Sequence, residues 1–192
     1  MVMDYEKWHD GVGYDLDAIT AATPPERDAI EAILLVRGLQ DWRDVEALNA
    51  LDTPAAQSAL QEASGRASSE IRMAIVRYAP RFQSSAQRTA TLVGALRTAR
   101  LGGGLSDAID EAIEYHPPQV IEALLRGALE RDGETAVLFA AFLLYIHQQA
   151  KEPFDWAQRP FFLRFHTEDR SARETVFREL CARIGIDPTK HL

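Results

Sequence analysis

Residues 136–146 read AVLFAAFLLYI, eleven consecutive positions with no charged, amide or small hydroxyl side chain. A helix built on this run has no face suited to water, so other elements have to cover it on every side. A bilayer span needs about 20 apolar residues, and this run is far shorter. The expectation is a buried central helix over residues 135–149, with the remaining chain wrapped around it.

The remaining chain is punctuated for helices throughout. Thr23-Pro24-Pro25-Glu26 forms a capping box with proline at the first helical position. The helix it opens carries Ile30, Ile33 and Leu34 at helical spacing and stops at Gly38. Asp41 caps a helix with Val45, Leu48 and Leu51 on one face, and Thr53-Pro54 opens another that ends near Gly65. Ser68 or Ser69 caps a helix through Ile71, Ala74, Ile75 and Tyr78, stopped by Pro80. Ser84 or Ser85 starts a longer one, running to about Arg100. After the Gly102–Gly104 run, read as a hinge between two stacks, Ser106 caps a helix with Ile109, Ala112 and Ile113. Pro117-Pro118 opens the next, which stops at Asp132-Gly133. Thr167 caps a last helix with Val176, Phe177, Leu180, Cys181 and Ile184 on one face, closed by Gly185. No stretch shows strand alternation. The fold class expected is all-α, with about nine or ten helices.

Composition narrows the class of function. The 192 residues carry 21 bases and 29 acids, a formal charge of −8, and the sequence pI is about 5.1. A nucleic-acid binder shows a basic stripe and a high pI, so no nucleic-acid partner is expected. A lone cysteine, Cys181, excludes an internal disulfide and a cysteine-based zinc cluster. It suits the cytoplasm, and the opening MVMDYEKWHD has no signal-peptide pattern. Three lysines against 18 arginines suit a bacterial coding bias. The charge is segregated. Residues 1–34 and residues 101–134 each hold eight acids and two bases, net −6, while residues 35–100 are net +3.

An internal echo runs through the helices. At an offset of 38 residues, Ser68, Ile71, Ala74, Ile75 and Pro80 fall on Ser106, Ile109, Ala112, Ile113 and Pro118. A phrase recurs as Ile30-Glu31-Ala32-Ile33, Val45-Glu46-Ala47-Leu48 and Ile121-Glu122-Ala123-Leu124. Helical hairpins repeating near 40 residues mark HEAT-type arrays, and the chain resembles a HEAT-like α-solenoid over about residues 25–150. The resemblance implies stacked antiparallel hairpins in a right-handed solenoid within one helical domain. Residues 1–22 would be an acidic and aromatic arm, 23–150 the stack, and 151–192 an aromatic segment with a capping helix. An irregular helical bundle is the competing reading.

No motif carries a reaction. The histidines at 9, 116, 147, 166 and 191 form no metal-binding pair, and the glycine run lacks the Lys-Ser/Thr of a phosphate loop. Cys181 reads as a buried thiol, and no catalytic residue, metal or cofactor is expected. Tyr5, Trp8 and Tyr14 read as anchors of the N-terminal arm, and Asp15 as the cap of the helix holding Leu16 and Ile19. The aromatics Phe154, Trp156, Phe161, Phe162 and Phe165 have two readings: a lid sealing the end of the stack, or an exposed docking patch. Arg164, Arg170, Arg173 and Arg178 with Glu168, Asp169, Glu174 and Glu179 read as a solvated charge ladder.

The first functional expectation is a non-enzymatic module binding a basic protein partner, with no membrane association. Size, charge and composition resemble those of bacterial immunity proteins, which neutralise a cognate toxin. The residues expected at the partner are Asp4, Glu6, Trp8, Asp10, Asp15 and Asp17 in the arm, and Asp107, Asp110, Glu111 and Glu114 beyond the glycine run. The alternatives are a HEAT-like DNA-repair glycosylase or an accessory protein of another enzyme. The glycosylase would need Arg66, Arg72, Arg77, Arg81, Arg88, Arg97 and Arg100 as its basic face, and the net acidity opposes it.

Overall fold

The computed structural model describes residues 12–100 and 104–192. Among them the chain is helical and contains no strand, only a lone bridge pair between Arg100 and Gly104. The fold is all-α. Among the described residues eleven α-helices follow in order: α1 Leu16–Ala21, α2 Pro24–Arg37, α3 Trp42–Leu51, α4 Pro54–Arg66, α5 Ser69–Tyr78, α6 Ser85–Thr98, α7 Leu105–Glu114, α8 Pro118–Glu130, α9 Gly133–Ile146, α10 Arg159–Phe162 and α11 Arg170–Ile184. Short 3-10 turns lie at Pro80–Phe82, Leu163–Phe165 and Pro188–Lys190. The chain divides into two compact units, residues 1–91 and 92–192, with the boundary inside α6. The glycine run expected as a hinge lies largely outside the described residues.

In the first unit, α3 is the hub. Its Val45, Ala47, Leu48 and Leu51 are buried, and it packs against α1, α2, α4 and α5. Contacts run between sequence neighbours and next-but-one neighbours, which is the local order of stacked hairpins. The helix ends follow the cap signals. Thr23 and Glu26 close a reciprocal box on α2, Asp41 accepts from the Arg43 backbone N–H, and Thr53 and Ser68 accept from Ala56 and Ile71. Asp44 is buried in the first turn of α3. It accepts from the Gln40 backbone N–H at 2.8 Å, from Tyr14 Oη at 3.2 Å and from the Arg37 guanidinium. Arg37 also donates to Tyr14 Oη at 2.7 Å. Tyr14 therefore does anchor the segment before α1. Arg43 donates Nε to the Val12 carbonyl at 2.8 Å and lies over the Trp42 ring, while Trp42 stacks on Tyr78 with centroids 5.5 Å apart.

In the second unit, α9 is the hub, as its apolar run requires. Ala136, Val137, Phe139, Ala140, Ala141, Leu143 and Leu144 are buried, and α9 packs against α7, α8, α10, α11 and the Leu163–Phe165 turn. Asp132 caps it by accepting from Thr135. Three aromatics of the 154–165 segment, Phe161, Phe162 and Phe165, are buried in this unit.

Three local expectations are corrected. Ser106 does not cap α7: the helix starts two residues earlier than that cap implies, at Leu105, behind Gly104 in a left-handed conformation at φ 85° that glycine adopts freely. Asp169, not Thr167, caps α11. The Asp169 carboxylate accepts from Ser171 and Ala172, and the Thr167 hydroxyl accepts from the Asp169 N–H, fixing the cap residue itself. Arg173 is no rung of a solvated ladder. It is 8% exposed and donates to the carbonyls of Arg131 and Thr167. The Arg131 guanidinium in turn donates to the carbonyls of Leu96 at 2.7 Å and Ala99 at 2.5 Å, capping the end of α6. The outer pairs do exist: Arg170 and Arg178 on Glu174, and Arg164 and Arg183 on Glu179.

Candidate partner-binding surfaces

The acids expected at a partner fall into three groups. Asp4, Glu6, Trp8 and Asp10 lie outside the described residues. Asp15 and Asp17 are exposed on α1; Asp15 caps that helix, accepting from the Ala18 N–H at 2.9 Å. Asp107, Asp110, Glu111 and Glu114 belong to α7 in the second unit. Positions 107, 110, 111 and 114 follow the i, i+3, i+4, i+7 spacing of one helix face. The opposite face, Leu105, Ala108, Ile109 and Ala112, is buried. Asp107, Asp110 and Glu114 are exposed and Glu111 is half-buried, so the four carboxylates form one outward stripe. The helix is two-faced because its apolar and acidic residues segregate at the same period.

The second surface was not foreseen. The helix α2 carries Ile30, Ile33 and Leu34 at helical spacing, but they are not buried alike. Only Leu34 is buried; Ile30 is half-buried, Ile33 is 65% exposed and Val36 is 90% exposed. Ile33 and Leu34 are adjacent, about 100° apart around the axis, so one partner surface cannot take both fully. Between α1 and α2 lies an open groove of about 690 Å³. Its floor is Ile19, Leu34 and Ala47, all buried, and its sides include Ala18, Ala29, Ile30 and Ile33. Asp15 and Glu26 also line it. The Glu26 carboxyl is held below its ordinary range by hydrogen bonds from the Thr23 side chain and backbone, and so stays charged. A sequence signal for this surface existed. Residues 29–36 hold Ala29, Ile30, Ala32, Ile33, Leu34, Leu35 and Val36, more apolar side chains than one helix face accommodates.

The aromatic segment divides between its two readings. Phe161, Phe162 and Phe165 seal the core, with Phe154 against Phe162 at 4.5 Å. Trp156 stands 68% exposed beneath the Arg159 guanidinium, which sits 4.4 Å from its ring centroid.

Other groups are accounted for by structure. Cys181 is fully buried, and burial pushes its thiol up to about 11, with Asp187 adding to the shift. Burial lowers His147, and His116 adds to that effect. His191 Nδ1 lies 3.1 Å from Glu122 Oε2, tying the C-terminal turn to α8. In the arginine-rich stretch, Arg66 pairs with Glu62 and Arg81 with Asp52. Among the described residues no three His, Cys, Asp or Glu side chains are grouped to hold a metal ion, and no helix is long and apolar enough to cross a membrane.

No protein-family model matches the chain, and neither does any curated protein or solved structure. The fold and its surfaces define an all-α protein of two compact units, one bearing an open apolar groove and the other an acidic helix face.

Proposed function

We propose that this protein is a non-enzymatic, HEAT-like binding module that engages a basic protein partner, and that its specific role is that of a bacterial, cytoplasmic immunity protein holding a cognate toxin inactive. The observation that carries this reading is the acidic stripe of α7, four carboxylates at one helix face opposite a buried apolar face. The apolar half of α7 accounts for its place in the fold. The stripe makes no contribution to that burial, and a patch of one sign steers a partner of the other sign and selects against wrong ones. The neighbour-on-neighbour packing of α1 to α5 supports the HEAT-like part of the reading.

Affinity capture on the full chain from native lysate tests it. A basic protein is expected to be retained at low salt and released as salt rises through the screening range. Converting Asp107, Asp110 and Glu114 to lysine is expected to abolish capture while leaving the helical circular dichroism intact, because exposed substitutions usually shift stability by under about 0.5 kcal/mol each. Growth arrest on expressing the captured partner alone, relieved by co-expression of this chain, would establish neutralisation. Undiminished capture by that variant and by its counterpart at Asp4, Glu6 and Asp10 would refute the acidic reading.

A further inference from the structure

Among the described residues the outward side of α2, a seam along the helix, stands exposed to solvent. Ala29, Ala32, Ile33 and Val36 stand at i, i+3, i+4 and i+7, and all four are exposed. This is the spacing with which one helix receives another. The seam borders the groove between α1 and α2, whose floor is apolar and buried. From Glu26 to Arg37 the wall is twelve residues long and spans about 16 Å, which matches three turns of a docked helix.

Charge decides what fits. Asp15 and Glu26 are exposed and line the groove; Asp17 of α1 and Asp28 of α2 are exposed as well. The two arginines of α2 are already engaged. Arg27 donates to the carbonyls of Ile19, Thr20 and Leu51, and Arg37 to Asp44 and Tyr14. The surface facing an incoming helix is therefore apolar along its middle and acidic at its margins. A second copy of this chain docking about a two-fold axis would set those margins against themselves, like charge against like.

We infer that the α1–α2 groove binds an amphipathic helix with an apolar stripe and basic flanks, supplied by the partner protein. Ile33 in the groove wall and Val36 on the adjoining seam are its apolar anchors, and Asp15 and Glu26, which line the groove, face the basic flanks. The inference rests on the partner-binding reading above and names the part of the partner that reaches this unit.

The probe is a synthetic peptide of leucine and lysine, roughly 15 residues long so that a helix can form, with leucines at i, i+3, i+4 and i+7. A control peptide has the same composition in scrambled order. Fluorescence anisotropy with the full chain is expected to show saturable binding of the patterned peptide at least tenfold tighter than of the scrambled one. Ile33→Gln with Val36→Gln is expected to weaken it at least tenfold; both positions are exposed, so the fold is retained, as a melting curve verifies. Asp15→Asn with Glu26→Gln, which keep both helix caps but remove the negative charges that line the groove, is expected to flatten the salt dependence. Equal binding of the two peptides, or wild-type binding by the glutamine variant, overturns the inference. So does a dimer in sedimentation that the glutamine variant abolishes, which would assign the groove to a second copy. If the captured basic partner is lost with the α7 lysine variant but kept by the glutamine variant, the partner-binding reading stands and the groove inference falls.

Discussion

Gly127 of α8 faces the ring of Phe139 of α9 so closely that a Cβ on Gly127 would lie 2.2 Å from Phe139 Cε2 and 2.3 Å from Cδ2. Phe139 is among the largest fully buried side chains, in the middle of the hub helix of the second unit. Interiors packed to crystal density have no room for such an atom to be absorbed.

Gly127→Ala is accordingly expected to destabilise the protein by about 1–3 kcal/mol, the usual cost of overpacking. The sign is informative, since the same change in a free helix gains roughly 1 kcal/mol. Chemical denaturation checks it. Combining Gly127→Ala with Phe139→Leu should recover part of the loss relative to the sum of the two single changes, because the clashing ring is gone.

Asp44 connects α2, α3 and the segment before α1 through Arg37, Gln40 and Tyr14. Asp44→Ala removes the reciprocal cap of α3 and leaves several donors without their acceptor. A loss of about 3 kcal/mol is expected. Thermal melting measures it, and Asp44→Asn, which keeps the shape but not the charge, should fall in between.

Cys181 is expected to resist a thiol reagent in the folded protein and react only on unfolding, since burial holds its proton to about 11. The linkage has a sign. From the ordinary value of 9.0 up to about 11 the unfolded chain releases the thiol proton while the folded chain keeps it, so stability falls as pH rises through that window. Denaturation across alkaline pH should show a shallower decline in Cys181→Ala than in the wild type.

His147 works at the other end of the scale. Burial, with His116 adding to it, holds the folded imidazole below its ordinary 6.5. As pH drops below 6.5 the unfolded chain takes up a proton that the folded one refuses, so stability declines with falling pH until the folded value is passed. His147→Gln is expected to flatten this acid-side slope in melting temperature against pH.

The sequence alone determined what depends on neighbours within a turn or two. Thr23 with Glu26, Asp41, Thr53 and Ser68 open the helices they were expected to open, because a cap bonds a backbone N–H two or three residues away. The all-α class and the burial of most of the 136–146 run follow from period and hydrophobicity in the same local way, although Leu138, Phe142, Tyr145 and Ile146 are only half-buried. At the start of α11 the expected cap Thr167 gives way to Asp169, whose own N–H donates to the Thr167 hydroxyl. Tertiary structure alone decided which face of α2 meets a neighbour. Ile30, Ile33, Leu34 and Val36 are equally apolar as letters, yet Leu34 is buried and Val36 stands in solvent. It also decided that Arg173 points inward to the carbonyls of Arg131 and Thr167 rather than out to a carboxylate. The glycine at 127 reads as a weak point in a helix until the ring of Phe139 is set against it. Each of these depends on a partner many residues away, and helical periodicity states only that a face exists, not what lies across from it.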